Sequence, residues 1–174
     1  EKHATGGEFR VEDMRLSWEI LDAFQDAAAE IGIPKTDDFN QGDNEGCGYF
    51  QVNQNKGIRW TTAKGFLKPV MDRPNLTVLT EAQATGATLE GKRCTGLTVV
   101  HKDRLAHVQA GREVILSGGS IGSPQLLQLS GVGPANHLQG LGIAINHDLP
   151  GVGENLQDHL QIRAVYKVKN TKTL

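Results

Sequence analysis

Residues 119–133 read Gly-Ser-Ile-Gly-Ser-Pro-Gln-Leu-Leu-Gln-Leu-Ser-Gly-Val-Gly, and the apolar run Glu113-Val114-Ile115-Leu116 leads into them through Ser117-Gly118. A strand, a glycine pair and a helix in that order form a device for holding anions. Glycine allows close backbone approach and dihedrals closed to other residues. The free N–H groups and positive dipole at a helix start favour a group such as a pyrophosphate. Taken alone, an ordinary tight strand–helix connection explains the turn better. None of the glycine-rich sites completes Gly-x-Gly-x-x-Gly. Asn136 follows Gly131-Val132-Gly133, Leu156 follows Gly151-Val152-Gly153, and Gln51 follows Gly46-Cys47-Gly48 at the third position. The missing fingerprint disfavours a nicotinamide-linked Rossmann enzyme.

Asp158-His159 invites acid–base chemistry. Neighbours on an extended segment point to opposite faces, however, so the pair is no dyad, and no catalytic residue is assigned within the chain. His101, His107, His137 and His147 share no metal-ligand spacing, and Cys47 and Cys94 stand in no Cys-x-x-Cys or Cys/His arrangement, so no metal site is expected. The two cysteines fit free thiols in a reducing compartment, with a disulfide as the alternative that geometry would decide. Trp60 beside Arg59 reads as a cation–π pair or as a loop anchor. Glu12-Asp13 and Asp37-Asp38 read as solvated faces or caps.

The elements that must position these residues follow from periodicity and punctuation. Residues 15–31 form an amphipathic helix, since Ile20, Phe24, Ala27/Ala28 and Ile31 share one face, and Gly32 and Pro34 end it. Residues 36–57 are polar, rich in Gly, Asn and Asp, and irregular. A short helix is expected over 60–67, and Pro69 and Pro74 then bound a loop. Strands are expected at 76–80, 82–89, 95–101, 105–110 and 113–116, with a hairpin turn at 90–93. Ser123 is a good N-cap and Pro124 a good first helical residue, so the next helix is predicted to begin there and to end at Ser130-Gly131. A short helix near 134–138 and a strand over 161–168 complete the chain.

The 174 residues suit one domain-sized core, and 38% hydrophobic residues with 21 glycines fit a globular protein. A net charge of -2 with mixed signs excludes a nucleic-acid surface, which needs a concentrated basic patch. No apolar run is long enough to cross a bilayer, and the first residues carry no secretory signal. Asn75-Leu76-Thr77 matches the glycosylation sequon by chance in a protein expected in the cytoplasm.

Longer motifs sharpen this picture. The small pair Gly119-Ser120, then Ser123-Pro124, the aliphatic pair Leu126-Leu127 and Ser130-Gly131-Val132-Gly133 resemble the second sequence signature of the glucose–methanol–choline (GMC) oxidoreductases. His3-Ala4-Thr5-Gly6-Gly7, Asp37-Asp38-Phe39-Asn40, Gly46-Cys47-Gly48-Tyr49-Phe50, Arg59-Trp60-Thr61-Thr62-Ala63, Arg73-Pro74-Asn75-Leu76-Thr77-Val78 and the block 150–159 are similar to further family segments. The flavour is that of choline dehydrogenases and related alcohol dehydrogenases.

The resemblance implies a mixed α/β fold with part of an FAD-binding domain and part of the GMC substrate-binding domain. It implies residues 1–74 as a substrate-side helical and loop region, 75–133 as a portion of the FAD domain, and 134–174 as the start of the substrate-binding domain. FAD is the implied cofactor and a small-molecule alcohol the implied substrate. Ala84 corresponds to the position whose backbone meets the adenine side of FAD, where the family usually has Val. Ser117, Gly118 and Gly119 correspond to a segment near the cofactor. The family's pyrophosphate loop lies upstream of such a segment and its catalytic His downstream. The chain therefore reads as a central piece, inactive alone, with the remainder of the parent chain as partner. A non-catalytic binding or assembly module derived from the fold is the alternative.

Overall fold

The computed structural model describes residues 3–172. Helices and antiparallel sheet are mixed in it, in two compact units. One takes the residues up to Thr77 together with those from Arg163, and the other spans Val78–Ile162.

In the first unit the expected amphipathic helix is α1, Glu19–Glu30. It starts later than the periodicity suggests because Trp18 is extended and acts as N-cap without a capping side chain of its own. Tyr49 supplies the missing tie. Its hydroxyl accepts the Trp18 N–H at 3.1 Å and donates to Asp22 Oδ1 at 2.8 Å. The polar stretch 36–57 is fastened rather than free. Glu12 and Val52 exchange two backbone bonds of 3.0 and 2.9 Å, and Cys47 bonds to Pro34 and Thr36. Two-residue strands β1, Gln54–Asn55, and β2, Ile58–Arg59, pair as a tight hairpin.

The short helix expected over 60–67 is a π-helical turn at Ala63–Leu67, followed by a 3-10 turn at Lys68–Val70 that includes Pro69. Trp60 is an anchor: its Nε1–H donates to the Glu8 carbonyl at 2.7 Å. Gly65 is required beneath it, since a Cβ there would lie 2.8 Å from the same carbonyl. Phe9 stacks on Phe66 with ring centroids 6.2 Å apart.

The second unit is built on three antiparallel strands in sequence order, β3 (Ala82–Glu90), β4 (Arg93–His101) and β5 (Arg104–Gln109). Register slips leave Thr85 and Thr95 outside the ladder, each marking a bulge. Both threonines reach back across, Thr85 Oγ1 to the Thr98 carbonyl and Thr95 Oγ1 to the Thr88 carbonyl. Helix α2, Gly119–Leu129, packs on β3. A two-residue parallel pair, β6 (Val132–Gly133) with β7 (His147–Asp148), brackets the short helix α3, Ala135–Gly140.

Three expected strands are corrected. Residues 76–80, 113–116 and 161–168 pair with no strand among the described residues. Their alternation supplies propensity, but a strand exists only through the backbone partner that takes its N–H and C=O groups. Expected antiparallel-to-parallel continuity after β5 is therefore absent among the described residues. The start of α2 is corrected too. It opens at Gly119, so Pro124 lies inside the helix, not at its first position.

The apolar side chains buried among the described residues are Ala28, Val99, Leu138 and Val152. Total exposed surface is 14727 Å². A self-contained globule of this mass exposes about 8,300 Å², and two separate bodies of half the mass about 10,000 Å². Much apolar surface therefore faces outward, with Leu160, Ile162 and Val165 nearly fully exposed.

Gly131 adopts φ 77°, and a Cβ there would lie 2.3 Å from the Ala144 carbonyl oxygen. Gly91 also has positive φ, at 58°, but has open space around it. Gly91→Ala should cost about 1 kcal/mol from the dihedral alone, and Gly131→Ala about 3 kcal/mol or more because backbone must also move. Denaturant melts of the two variants check this, and equal losses would refute the steric argument.

Candidate functional site

The glycine turn lies at the exposed end of α2. Gly118 is the N-cap and Gly119 takes φ 79°, a left-handed conformation that glycine adopts without strain. Ser117, Gly118 and Gly119 are all exposed. A Cβ at Gly119 would meet nothing within 4 Å, so the outer face of the backbone there is open. At Gly118 a Cβ would come within 3.1 Å of Gly122 and Ser123 backbone, so glycine at this position serves the packing of the turn itself.

Ser123 is not the N-cap that its type suggests. It sits one turn inside the helix, and its Oγ accepts the Gly118 N–H at 2.9 Å. The hydroxyl thus satisfies the donor that precedes the helix. The N–H groups of the first turn, from Gly119 onward, have no intrahelical acceptor and point out of the helix end. Exposed first-turn N–H groups and a glycine face free of side chains fit an anionic diphosphate of the kind FAD carries.

Ala84 is half-buried on β3, opposite Val99 on β4 and beside the Thr85 bulge. Its carbonyl accepts a bond of 3.1 Å from Nε2 of its exposed neighbour Gln83. Such a local contact yields readily to another donor, because it holds a long surface side chain in one geometry. Ala84 and the glycine turn belong to the same unit, on the two elements that pack together as β3 and α2.

Ser130 is the residue that sequence reasoning undervalued, reading it as a helix end. It is the polar side chain buried among the described residues, at 6% exposure. Its hydroxyl donates to the Leu126 carbonyl at 2.6 Å and accepts the Ala87 N–H at 2.7 Å. The signal was its place at the end of an apolar helix beside a glycine, but the partner on β3 is 43 residues away in sequence.

Asp158 and His159 lie exposed on a segment without ladder partners among the described residues. Cys47 and Cys94 are half-buried free thiols. Among the described residues no helix is long and apolar enough to cross a membrane.

In the other unit the loop after α1 carries two charges shifted by their neighbours, Asp38 and Lys35. The Asn40 N–H donated to Oδ1 at 2.8 Å, and after it the His3 ring 2.6 Å from Oδ2, hold the Asp38 carboxyl below the ordinary aspartate range, although desolvation opposes them. Asp38 thus closes the turn at Phe39-Asn40. Asp26 raises the Lys35 amine in the same way, through a direct hydrogen bond.

A glycine turn opening a helix against a sheet is the kind of site that receives a nucleotide's phosphates. The model of the GMC oxidoreductase family matches residues 5–161, and the chain belongs to that family. It is 45% identical over 162 residues to the alcohol dehydrogenase [acceptor] of Pseudomonas putida, covering 92% of this chain and 29% of that protein. It is 44% identical to the oxygen-dependent choline dehydrogenase of Photobacterium profundum, covering 93% of this chain and 28% of that protein. Among solved structures it superposes on an FAD-dependent oxidoreductase from Chaetomium thermophilum with a TM-score of 0.79 and 26% identity, over 84% of this chain and 26% of that one. The chain thus spans less than a third of the length of the curated relatives it matches.

Two outcomes are expected. Ser123→Ala removes the acceptor for the Gly118 N–H and should cost about 1 kcal/mol, read from the melting of the Val78–Ile162 unit. The depressed Asp38 carboxyl contributes stability that is present above the ordinary aspartate value of 3.8 and is lost as pH falls through its lower folded value. Asp38→Asn should therefore flatten the acid limb of a circular-dichroism titration, and superimposable acid limbs would show that the carboxyl contributes nothing.

Proposed function

We propose that this chain is the central segment of an FAD-dependent alcohol oxidoreductase, similar to choline dehydrogenase. The observation that carries the reading is the open glycine turn at Gly118-Gly119, set at the start of a helix packed on the strand that bears Ala84. Family membership supports it. On this reading the Ala84 backbone meets the adenine side of the cofactor, and Ser117, Gly118 and Gly119 lie along its diphosphate. Residues 1–74 form the substrate-side region, 75–133 a portion of the FAD domain, and 134–174 the start of the substrate-binding domain.

FAD supplies the acceptor for a hydride leaving the alcohol carbon. The hydroxyl proton goes to a base that we place outside these residues, since Asp158 and His159 are exposed neighbours on a segment without ladder partners among the described residues. This chain's own part is to bind and orient the adenosine end. The surface excess supports a partner in the remainder of the parent chain and disfavours a self-sufficient non-catalytic module. The free thiols Cys47 and Cys94 support a cytoplasmic setting.

The test is an anaerobic titration of the full-length protein, purified and reconstituted with FAD. Bleaching of a protein-bound flavin spectrum by choline or another primary alcohol is the expected result. A protein that retains no flavin after desalting, or whose flavin no alcohol reduces, would sink the proposal. Gly119→Val, which puts a branched side chain on the open face and strains a left-handed residue, should weaken FAD retention about tenfold or more in the same assay.

A further inference from the structure

Ser130 closes α2 at the end opposite the glycine turn, and among the described residues it is the one side chain that hydrogen-bonds α2 to β3. The acceptor it offers goes to Ala87, three residues beyond Ala84. The Thr85 bulge lies between the two, so the strand leaves its regular register just where the helix end is fastened. A Cβ at Gly86 would stand 3.9 Å from the Ser130 Oγ, which places the helix end directly against the bulged backbone. The far side of Ser130 is held as well. Asn146 Nδ2 donates to its carbonyl at 2.8 Å, and Gly131 turns away in a left-handed conformation. Ser130 is buried, so loss of its hydroxyl would take from the Ala87 N–H its protein acceptor.

We propose that Ser130 is a positioning residue for the cofactor site: its hydroxyl sets α2 on β3 so that the Ala84 backbone and the turn at Ser117, Gly118 and Gly119 keep the separation required by the adenosine diphosphate half of FAD. The proposal rests on the placement of those residues against FAD given above. It adds a group that does not touch the ligand and acts only through Ala87 and the helix.

The test uses the full-length protein stripped of flavin, with FAD and ADP as probes in equilibrium binding. Ser130→Ala should raise Kd for both by about tenfold, because the turn and the Ala84 backbone must first be brought back to their bound separation. Ser130→Thr keeps the hydroxyl and should stay within about threefold of wild type. Leu138→Val loosens the fully buried side chain of α3 and serves as the stability control. It should lower Tm and leave both Kd values unchanged. Should Ser130→Ala not fold, Ser130→Cys, near in volume but a weak acceptor, gives the same comparison. Unchanged Kd values in the hydroxyl-deficient variant overturn the proposal, as does a Leu138→Val protein that loses affinity in step with its Tm. A wild-type protein that binds neither FAD nor ADP overturns the cofactor placement and the proposal with it.

Discussion

The pairing of β3 with β4 is the constraint on which residues 78–162 depend. Eight of the nine residues on each strand pair with one another, and the two bulges decide where that commitment is relaxed. The third strand is held as closely: a Cβ at Gly96 on β4 would lie 2.3 Å from the Val108 carbonyl on β5. Once this meander is fixed, β3 offers one face to α2, and the bulge beside Ala84 leaves the Ala87 N–H for Ser130 to take. The glycine turn inherits its position from that chain of contacts. Its own residues are too small and too exposed to define it.

Much of this was legible in the amino-acid order because it is local. The alternation of 82–89 and 95–101, with a Gly-containing turn between, specifies a hairpin whatever surrounds it, and the observed strands match within two residues. Ile20, Phe24 and Ala28 announced α1 by spacing alone. Trp60 was read as a pair with Arg59 or as an anchor, and the anchor to the Glu8 carbonyl is what the fold uses. The proposed cofactor residues Ala84, Ser117, Gly118 and Gly119 came from family likeness, and they fall on β3 and at the start of α2, two elements that pack together.

What was not legible depended on distant partners. Residues 76–80 carry as much β propensity as β3, yet no ladder forms there among the described residues, because pairing is a property of two segments. Ser123-Pro124 looks like a helix start in any window of sequence. The chain instead begins the helix five residues earlier, where two glycines take the turn, and spends the serine hydroxyl on Gly118. Ser130 illustrates the same limit from the other side. Its sequence neighbours predict a helix end, and only the fold supplies the strand whose Ala87 N–H its hydroxyl accepts.

Pro124 inside α2 carries a further consequence. It has no N–H to give to the Ser120 carbonyl, so the segment from Gly119 to Gly122 is tied to the rest of the helix by fewer bonds than an ordinary first turn. Two of those four residues are glycines, which resist ordering. The first turn of α2 is therefore a poorly nucleated piece of helix, free to fray while the segment beyond Pro124 stays wound. Anything held by its N–H groups must also wind it. On the proposed placement of FAD, occupancy and local helix formation are then one equilibrium, so hydrogen exchange at Ser120 and Ile121 becomes a gauge of how often the turn is filled.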